Sequence, residues 1–131
     1  MQAPQRIAIL GSMNELGVLS AAEHEKLGAL CDPTLLSWVI TIGEEAEKYL
    51  APAARVRGCQ VRSFKSAIDA GAFARSVLEP GAVILAKGSQ GNVYAEEAVK
   101  VLCVMSADDE LVRQTPEWLA TKEAFFSKFG A

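Results

Sequence analysis

Four apolar residues in succession, Ile7-Ala8-Ile9-Leu10, are followed at once by Gly11 and a long polar loop. An unalternating apolar run this short reads as a strand covered on both faces, the situation of a strand inside a parallel sheet. The loop ends at Ser20-Ala21-Ala22-Glu23, whose spacing matches a capping box opening a helix. The chain therefore begins strand, loop, helix, and the loop lies at the strand's carboxyl end. That is the edge at which open α/β sheets take their ligands. The loop also exceeds what a plain strand-to-helix connection needs, and such excess is characteristic of functional loops.

The same alternation continues. The first helix is expected from Ala21 to about Leu30, with Ala22, Leu27 and Leu30 toward a core and Glu23, Glu25 and Lys26 toward water. Asp32-Pro33 ends it. Ser37–Ile42 is a second strand rich in β-formers and closed by Gly43. Glu44, Glu45 and Glu47 then suit a helix amino terminus, and Pro52 is expected to limit that helix. Gln60–Phe64 alternates as a third strand, and Ser66-Ala67-Ile68-Asp69 caps a helix running to about Leu78. After the Glu79-Pro80-Gly81 turn, Ala82–Ala86 is a fourth strand, apolar throughout. The Lys87–Asn92 loop leads to a helix from about Tyr94 to Leu102, in which Glu96 and Glu97 read as solvated charges. Four such steps predict an α/β, Rossmann-like fold, a mostly parallel sheet with helices on both faces, over residues 1–103.

Residues 104–131 form a carboxy-terminal helical tail in this reading. Ser106-Ala107-Asp108-Asp109 caps a short helix through Arg113, and Thr115-Pro116-Glu117 opens another. Trp118, Phe125 and Phe129 fall on one face of it, with Leu119 and Phe126 beside them. This stripe is expected to pack on the domain itself rather than on a partner.

Composition narrows the function. A chain of 131 residues suits one domain, and a net charge of -3 gives no basic footprint for nucleic acid. No apolar run is long enough to span a bilayer, and the amino terminus has no charged-then-apolar signal pattern. Cys31, Cys59 and Cys103 are odd in number and far apart, which predicts reduced thiols in a cytoplasmic protein and no structural metal. Cys59 lies near Arg57 and Arg62, so it is either a thiol of depressed pKa or a small hydrophobe. A single histidine, His24, removes most metal and triad schemes.

Two loops carry a family resemblance. Arg6–Gly17 resembles the first strand and loop of the carboxy-terminal domain of Mur ligases, ATP-dependent enzymes that build the peptidoglycan stem peptide. The pattern is nearest to the branch that adds D-alanyl-D-alanine: apolar strand, Gly-Asp-Met-x-Glu-Leu-Gly, then a His in the next helix. Gly11, Met13, Glu15, Leu16, Gly17 and His24 match it, and Ser12 replaces the Asp. Val83–Gly88 with Ser89-Gln90 resembles the family's strand and Lys-Gly-Ser-Arg loop, with Gln90 in place of the Arg. The resemblance spans roughly the first four-fifths of the chain.

What it implies is a lid. The family activates a carboxylate with ATP as an acyl phosphate, which an incoming amine attacks, with Mg2+ and phosphate-cradling amides in support. No Gly-x-x-x-x-Gly-Lys-[Ser/Thr] run occurs here. In the family that loop belongs to a central ATP-binding domain, and an amino-terminal domain binds the uridine nucleotide. ATP and Mg2+ are thus expected mainly outside this chain, and the chain alone is expected to be inactive. The resemblance assigns Lys87, Ser89 and Gln90 to the incoming amino substrate, Ser12, Asn14 and Glu15 to the cleft or nucleotide, and His24 to support of the loop. On the residues alone, Lys87–Gln90 is equally a turn opening the next helix, and Asn14 and Glu15 equally satisfy loop amides. His24 reads as a half-exposed helix histidine hydrogen-bonding the preceding loop. A first strand this close to Met1 reads as the edge of a domain cut from a longer enzyme, although a chain that exists alone fits the same residues. Other readings are a lid for another amino acid, as in folylpolyglutamate or other stem-peptide ligases, and a stand-alone binding module. An oxidoreductase is disfavoured, because Gly11–Gly17 lacks Gly-x-Gly-x-x-Gly spacing.

Overall fold

The computed structural model describes residues 4–14, 16–88, 93–102 and 116–127, and of Trp118 and Leu119 the backbone alone. Strand β1 (Arg6–Gly11) is followed by a 3-10 turn, Gly17–Leu19, and helix α1 (Ser20–Leu30). Next come β2 (Trp38–Ile42), a π-helical turn at Ala46–Leu50 and helix α2 (Ala51–Val56). Then follow β3 (Val61–Phe64), α3 (Ala67–Val77), β4 (Val83–Lys87), α4 (Ala95–Leu102) and α5 (Pro116–Phe126). The four strands form one wholly parallel sheet in the order β3-β2-β1-β4. The expected Rossmann-like α/β architecture is therefore present, and the order reverses direction between β1 and β4.

Alternation along β1 divides the interior into two layers. Ile7 and Ile9 enter a core with Ile40, Ile42, Ala67, Ala70, Ala74 and Ala98, on the side of α3 and α4. Ala8 and Leu10 face the other core, with Val39, Leu50, Ala54 and Cys59 on the side of α1 and α2. Ile7, Ile9, Val39, Ile40 and Ile42 are all essentially inaccessible to solvent. Apolar burial at both faces of β1 and β2 is the dominant stabilising term, at about 25 cal/mol per Å2 removed from water. Trp38 and Phe73 extend the first core edge-to-face, with ring centroids 5.1 Å apart.

Several local expectations are corrected. The capping box does not form: the 3-10 turn runs straight into α1, so Ser20 is already helical and its amide bonds Gly17 O. Its hydroxyl instead donates to Glu45 Oε2 at 3.2 Å. Ser66, by contrast, caps α3 as expected, accepting from Ile68 N at 3.2 Å. The buried positions of α1 are His24 and Gly28, whereas Ala22 is exposed and Leu30 is 71% exposed. The reason is a close helix crossing. A Cβ built on Gly28 would overlap Leu50 O and lie 2.8 Å from Ala53 Cβ, so α1 rests on the 46–56 segment almost backbone to backbone. Leu27 alone of the three expected core residues packs inward.

Pro52 does not end its helix. The chain widens into a π turn first, with Ala51 N bonded to Ala46 O, and Pro52 then sits at the start of α2. There its missing N–H and its ring are tolerated. Strand β4 is not buried on both faces either. Ile84 and Ala86 pack on the first core, while Val83 and Leu85, on the opposite face of the strand, join neither core and are 56% and 60% exposed. Tyr94 precedes α4 rather than beginning it, at φ 54. Glu96 and Glu97 are buried, not solvated. Lys122 of α5, itself 2% exposed, lies 3.1 Å from Glu96 Oε2 and 2.8 Å from Glu97 Oε2.

Of the aromatic stripe on α5, Phe126 packs against the first core, and Phe125 and Phe126 contact the Tyr94 ring edge-to-face at 5.5 and 6.0 Å. The side chains of Trp118 and Leu119, and the whole of Phe129, lie outside the described residues, as does the helix expected over 106–113.

Candidate functional site

The loop after β1 is tied down by side chains within the first few residues. Ser12 N donates to Ile42 O at 2.8 Å, and Ser12 Oγ donates to the same carbonyl at 3.2 Å and accepts from Ala46 N at 3.0 Å. Ser12 thus joins the end of β1 to the end of β2 and the start of the following helix. This corrects the expectation that its side chain faces the cleft: it is 4% exposed, and its hydroxyl is committed to backbone on the opposite side. A hydroxyl can donate and accept in one place, which is what this position requires.

His24 is fully buried rather than half-exposed. Its Nε2 accepts from Met13 N at 2.9 Å, while Nδ1 lies 2.7 Å from Ser20 O. A carbonyl can only accept, so these partners assign the proton to Nδ1 and leave the Nε2 lone pair for the loop. Helix α1 and the Met13 backbone are thereby held by one imidazole. Asn14 follows in a turn and is half-buried; Glu15 lies outside the described residues.

The second loop leaves the sheet beside the first. Leu10 pairs with Lys87 in the β1–β4 register, so Gly11 and Gly88 are the next residues along adjacent strands. They touch. A Cβ on Gly11 would overlap Val93 Cγ1 and come within 3.3 Å of Gly88 Cα; one on Gly88 would meet Val93 Cγ1 at 2.8 Å and Gly11 Cα at 3.2 Å. Only glycine permits this approach at both roots. Val93, 1% exposed, closes the far end of the second loop and is wedged between them. Ser89 and Gln90 lie outside the described residues; Gly88, from which they continue, stands on the same rim as Met13 and Asn14.

Between the two roots opens a pocket of about 150 Å3, lined by Leu10, Gly11, Met13, Leu27, Lys87 and Gly88. It lies at the carboxyl edge between β1 and β4, where the strand order reverses, the place at which such sheets bind ligands. Its walls are mainly aliphatic, and Lys87, an exposed residue, is the one ionisable group among them. A small apolar moiety attached to an anionic group fits that chemistry. Leu10, Met13, Leu27 and Val93 were not singled out as site residues in the sequence. Met13 stands in the family pattern and Leu27 on the expected core face of the first helix, whereas Leu10 and Val93 are marked only by their place at the strand end and loop end.

The remaining candidates fall away from the pocket. Burial pushes the Cys31 and Cys59 thiols above the ordinary range, and the nearby Arg57 only partly opposes this. Cys59 Sγ lies 3.6 Å from Cys31 O, so both are packed structural thiols and the depressed-pKa alternative for Cys59 is excluded. Cys103 is outside the described residues. Among the described residues no three His, Cys, Asp or Glu side chains converge as a metal site, and no helix is long and apolar enough to cross a membrane.

Residues 1–90, more than half of the chain and both strands that frame the pocket, match the family model "Mur ligase, glutamate ligase domain". The chain belongs to this family. No curated protein matches the sequence. Among solved structures, this Mur ligase domain is similar to "Crystal structure II of MurF from Acinetobacter baumannii", with a TM-score of 0.56 and 20% identity over 77% of this chain. It spans 22% of that protein's length. At this identity the likeness concerns fold. The pocket and its two loop roots fall within the matched family segment, whereas α4 and α5 lie beyond it.

Proposed function

We propose that this Mur ligase domain is the substrate-capturing lid of an ATP-dependent amide ligase of peptidoglycan synthesis, adding D-alanyl-D-alanine to a UDP-MurNAc-tripeptide in the cytoplasm. The observation that carries the reading is the meeting of the Gly11 and Gly88 loop roots around one pocket at the β1/β4 switch point. ATP and Mg2+ belong mainly to a central domain of the parent ligase, and the uridine nucleotide to an amino-terminal one. When bound there, ATP supplies the phosphoryl group that activates the acceptor carboxylate.

This chain's own part is to hold the amine-bearing dipeptide. Leu10, Met13 and Leu27 give a methyl-sized side chain an apolar wall and keep water from it. Lys87 offsets the negative charge of the dipeptide carboxylate. Gly88 lets the Ser89 and Gln90 segment approach the ligand closely, and those side chains complete the hydrogen bonding. Asn14 and Glu15, from the neighbouring loop, serve the nucleotide or the cleft in this reading. His24 keeps that loop in place through the Met13 amide. Closure of the lid then brings the amine to the activated carboxylate.

The test is kinetic. In the full-length protein, Lys87→Met should raise the KM for the amine substrate by about ten- to a hundredfold, the loss of one hydrogen bond to a charged group. The KM for ATP should stay within about twofold. The opposite pattern would show that Lys87 serves the nucleotide and that the two loops have been assigned the wrong way round.

A further inference from the structure

Helix α5 is linked to the site through α4 and Tyr94. Lys122 sits between two carboxylates of the first turn of α4, 3.1 Å from Glu96 Oε2 and 2.8 Å from Glu97 Oε2. All three residues are at least nine-tenths buried. Glu97 is also 3.7 Å from Lys100, one turn further along α4. The same Lys122 ammonium stands 5.8 Å from the centre of the Tyr94 ring, which Phe125 and Phe126 meet edge-on. Tyr94 is the only non-glycine with positive φ among the described residues. A bulky side chain adopts that conformation only where its surroundings hold it there. Its carbonyl also accepts Glu97 N at 2.9 Å, so the turn is locked to the start of α4. The residue before it is Val93, the wedge between Gly11 and Gly88.

We infer that α5 is a brace that seats Val93 between the two loop roots, Gly11 and Gly88, with Lys122 as its positioning residue. The ion cluster fixes the first turn of α4, the aromatic cage holds Tyr94 in its left-handed turn, and Tyr94 thereby delivers Val93 into the gap between the two loop roots. Without the brace, Tyr94 relaxes to negative φ, the chain direction at the end of the loop changes, and Val93 leaves its seat. The pocket wall at Gly11 and Gly88 then loses its backing. Only the identity of the ligand in this account rests on the proposed function; the mechanical link does not. The helix that supplies the brace lies beyond residues 1–90, outside the segment that matches the family.

The experiment is NMR on the intact 131-residue chain. Wild-type protein should show strong NOEs from a Val93 methyl to the α-protons of Gly11 and Gly88. In Lys122→Met these should fall by at least half, while NOEs across the β1–β2 pair are retained and report an intact sheet. Phe125→Leu leaves the ion cluster whole and should weaken the same NOEs, which keeps the inference testable if Lys122→Met does not fold. In a Tyr94→Gly background, where positive φ needs no support, Phe125→Leu should have no further effect on them. Unchanged Val93 NOEs in folded Lys122→Met or Phe125→Leu protein would overturn the brace and leave α5 as packing alone. If the NOEs respond but Lys87→Met in the full-length protein leaves the amine KM unchanged, the brace stands and the assignment of the substrate fails.

Discussion

Gly11→Ala is the sharpest probe of how the two loop roots are joined. The new methyl would overlap Val93 Cγ1 and crowd Gly88 Cα at 3.3 Å. Val93 is 1% exposed and β-branched, so its methyl cannot swing aside without disturbing the Gly88 contact on its other flank. Overpacking of this kind costs about 1–3 kcal/mol. Val93→Ala alone removes two methyl equivalents from the same place, a loss of roughly 1.6 kcal/mol before any cavity term. The two changes are complementary, because the methyl added at position 11 enters the space vacated at position 93. The double variant should therefore be more stable than the sum of the single effects by about 1–2 kcal/mol. Urea unfolding of the four proteins reads this directly, since with a slope of about 1–3 kcal/mol per molar, 2 kcal/mol moves the midpoint by roughly 1 M. Additivity to within about 0.5 kcal/mol would refute the wedge and with it the shared root of the two loops.

Two further outcomes follow from the buried polar groups. His24→Ala leaves the Met13 amide without its acceptor in the interior, which should cost about 1–3 kcal/mol in urea unfolding and speed amide exchange at Met13; unchanged Met13 exchange would show that the imidazole does not hold the loop. For Cys31 and Cys59, burial raises the folded-state pKa, so the folded chain keeps its thiol protons after the unfolded chain has released them. Stability should accordingly be intact below the ordinary thiol pKa and fall as pH rises past it. A Cys31→Ala/Cys59→Ala variant should lack that alkaline decline in thermal midpoint, and an identical decline in the variant would count against the buried thiols as its source.

The strands were legible because Ile7–Leu10 and Val39–Ile42 are buried on both faces, and an unbroken apolar run leaves little choice of environment. Ser66 and Pro116 were legible because a cap and a first-turn proline act locally. The buried face of α1 was not, since it consists of His24 and Gly28, two residues whose burial depends on how closely another helix approaches. Nor was the burial of Glu96 and Glu97, whose partner Lys122 comes from a separate helix 25 residues downstream of Glu97. Pro52 misled because a π turn, invisible to local propensity, absorbs it. At the site, Gly11 and Lys87-Gly88 could be read as two loops at strand ends. That they share one pocket required the strand order, which places β4 beside β1.

The crossing at Gly28 bears on how a lid of this kind would move. Helices separated by long side chains can slide, because rotamers readjust as the interface shears. Here one backbone is nested in the other, and no layer of side chains remains to yield. At Gly28 the two segments therefore have little room to shear, and His24, four residues earlier on α1, ties that crossing to the Met13 amide.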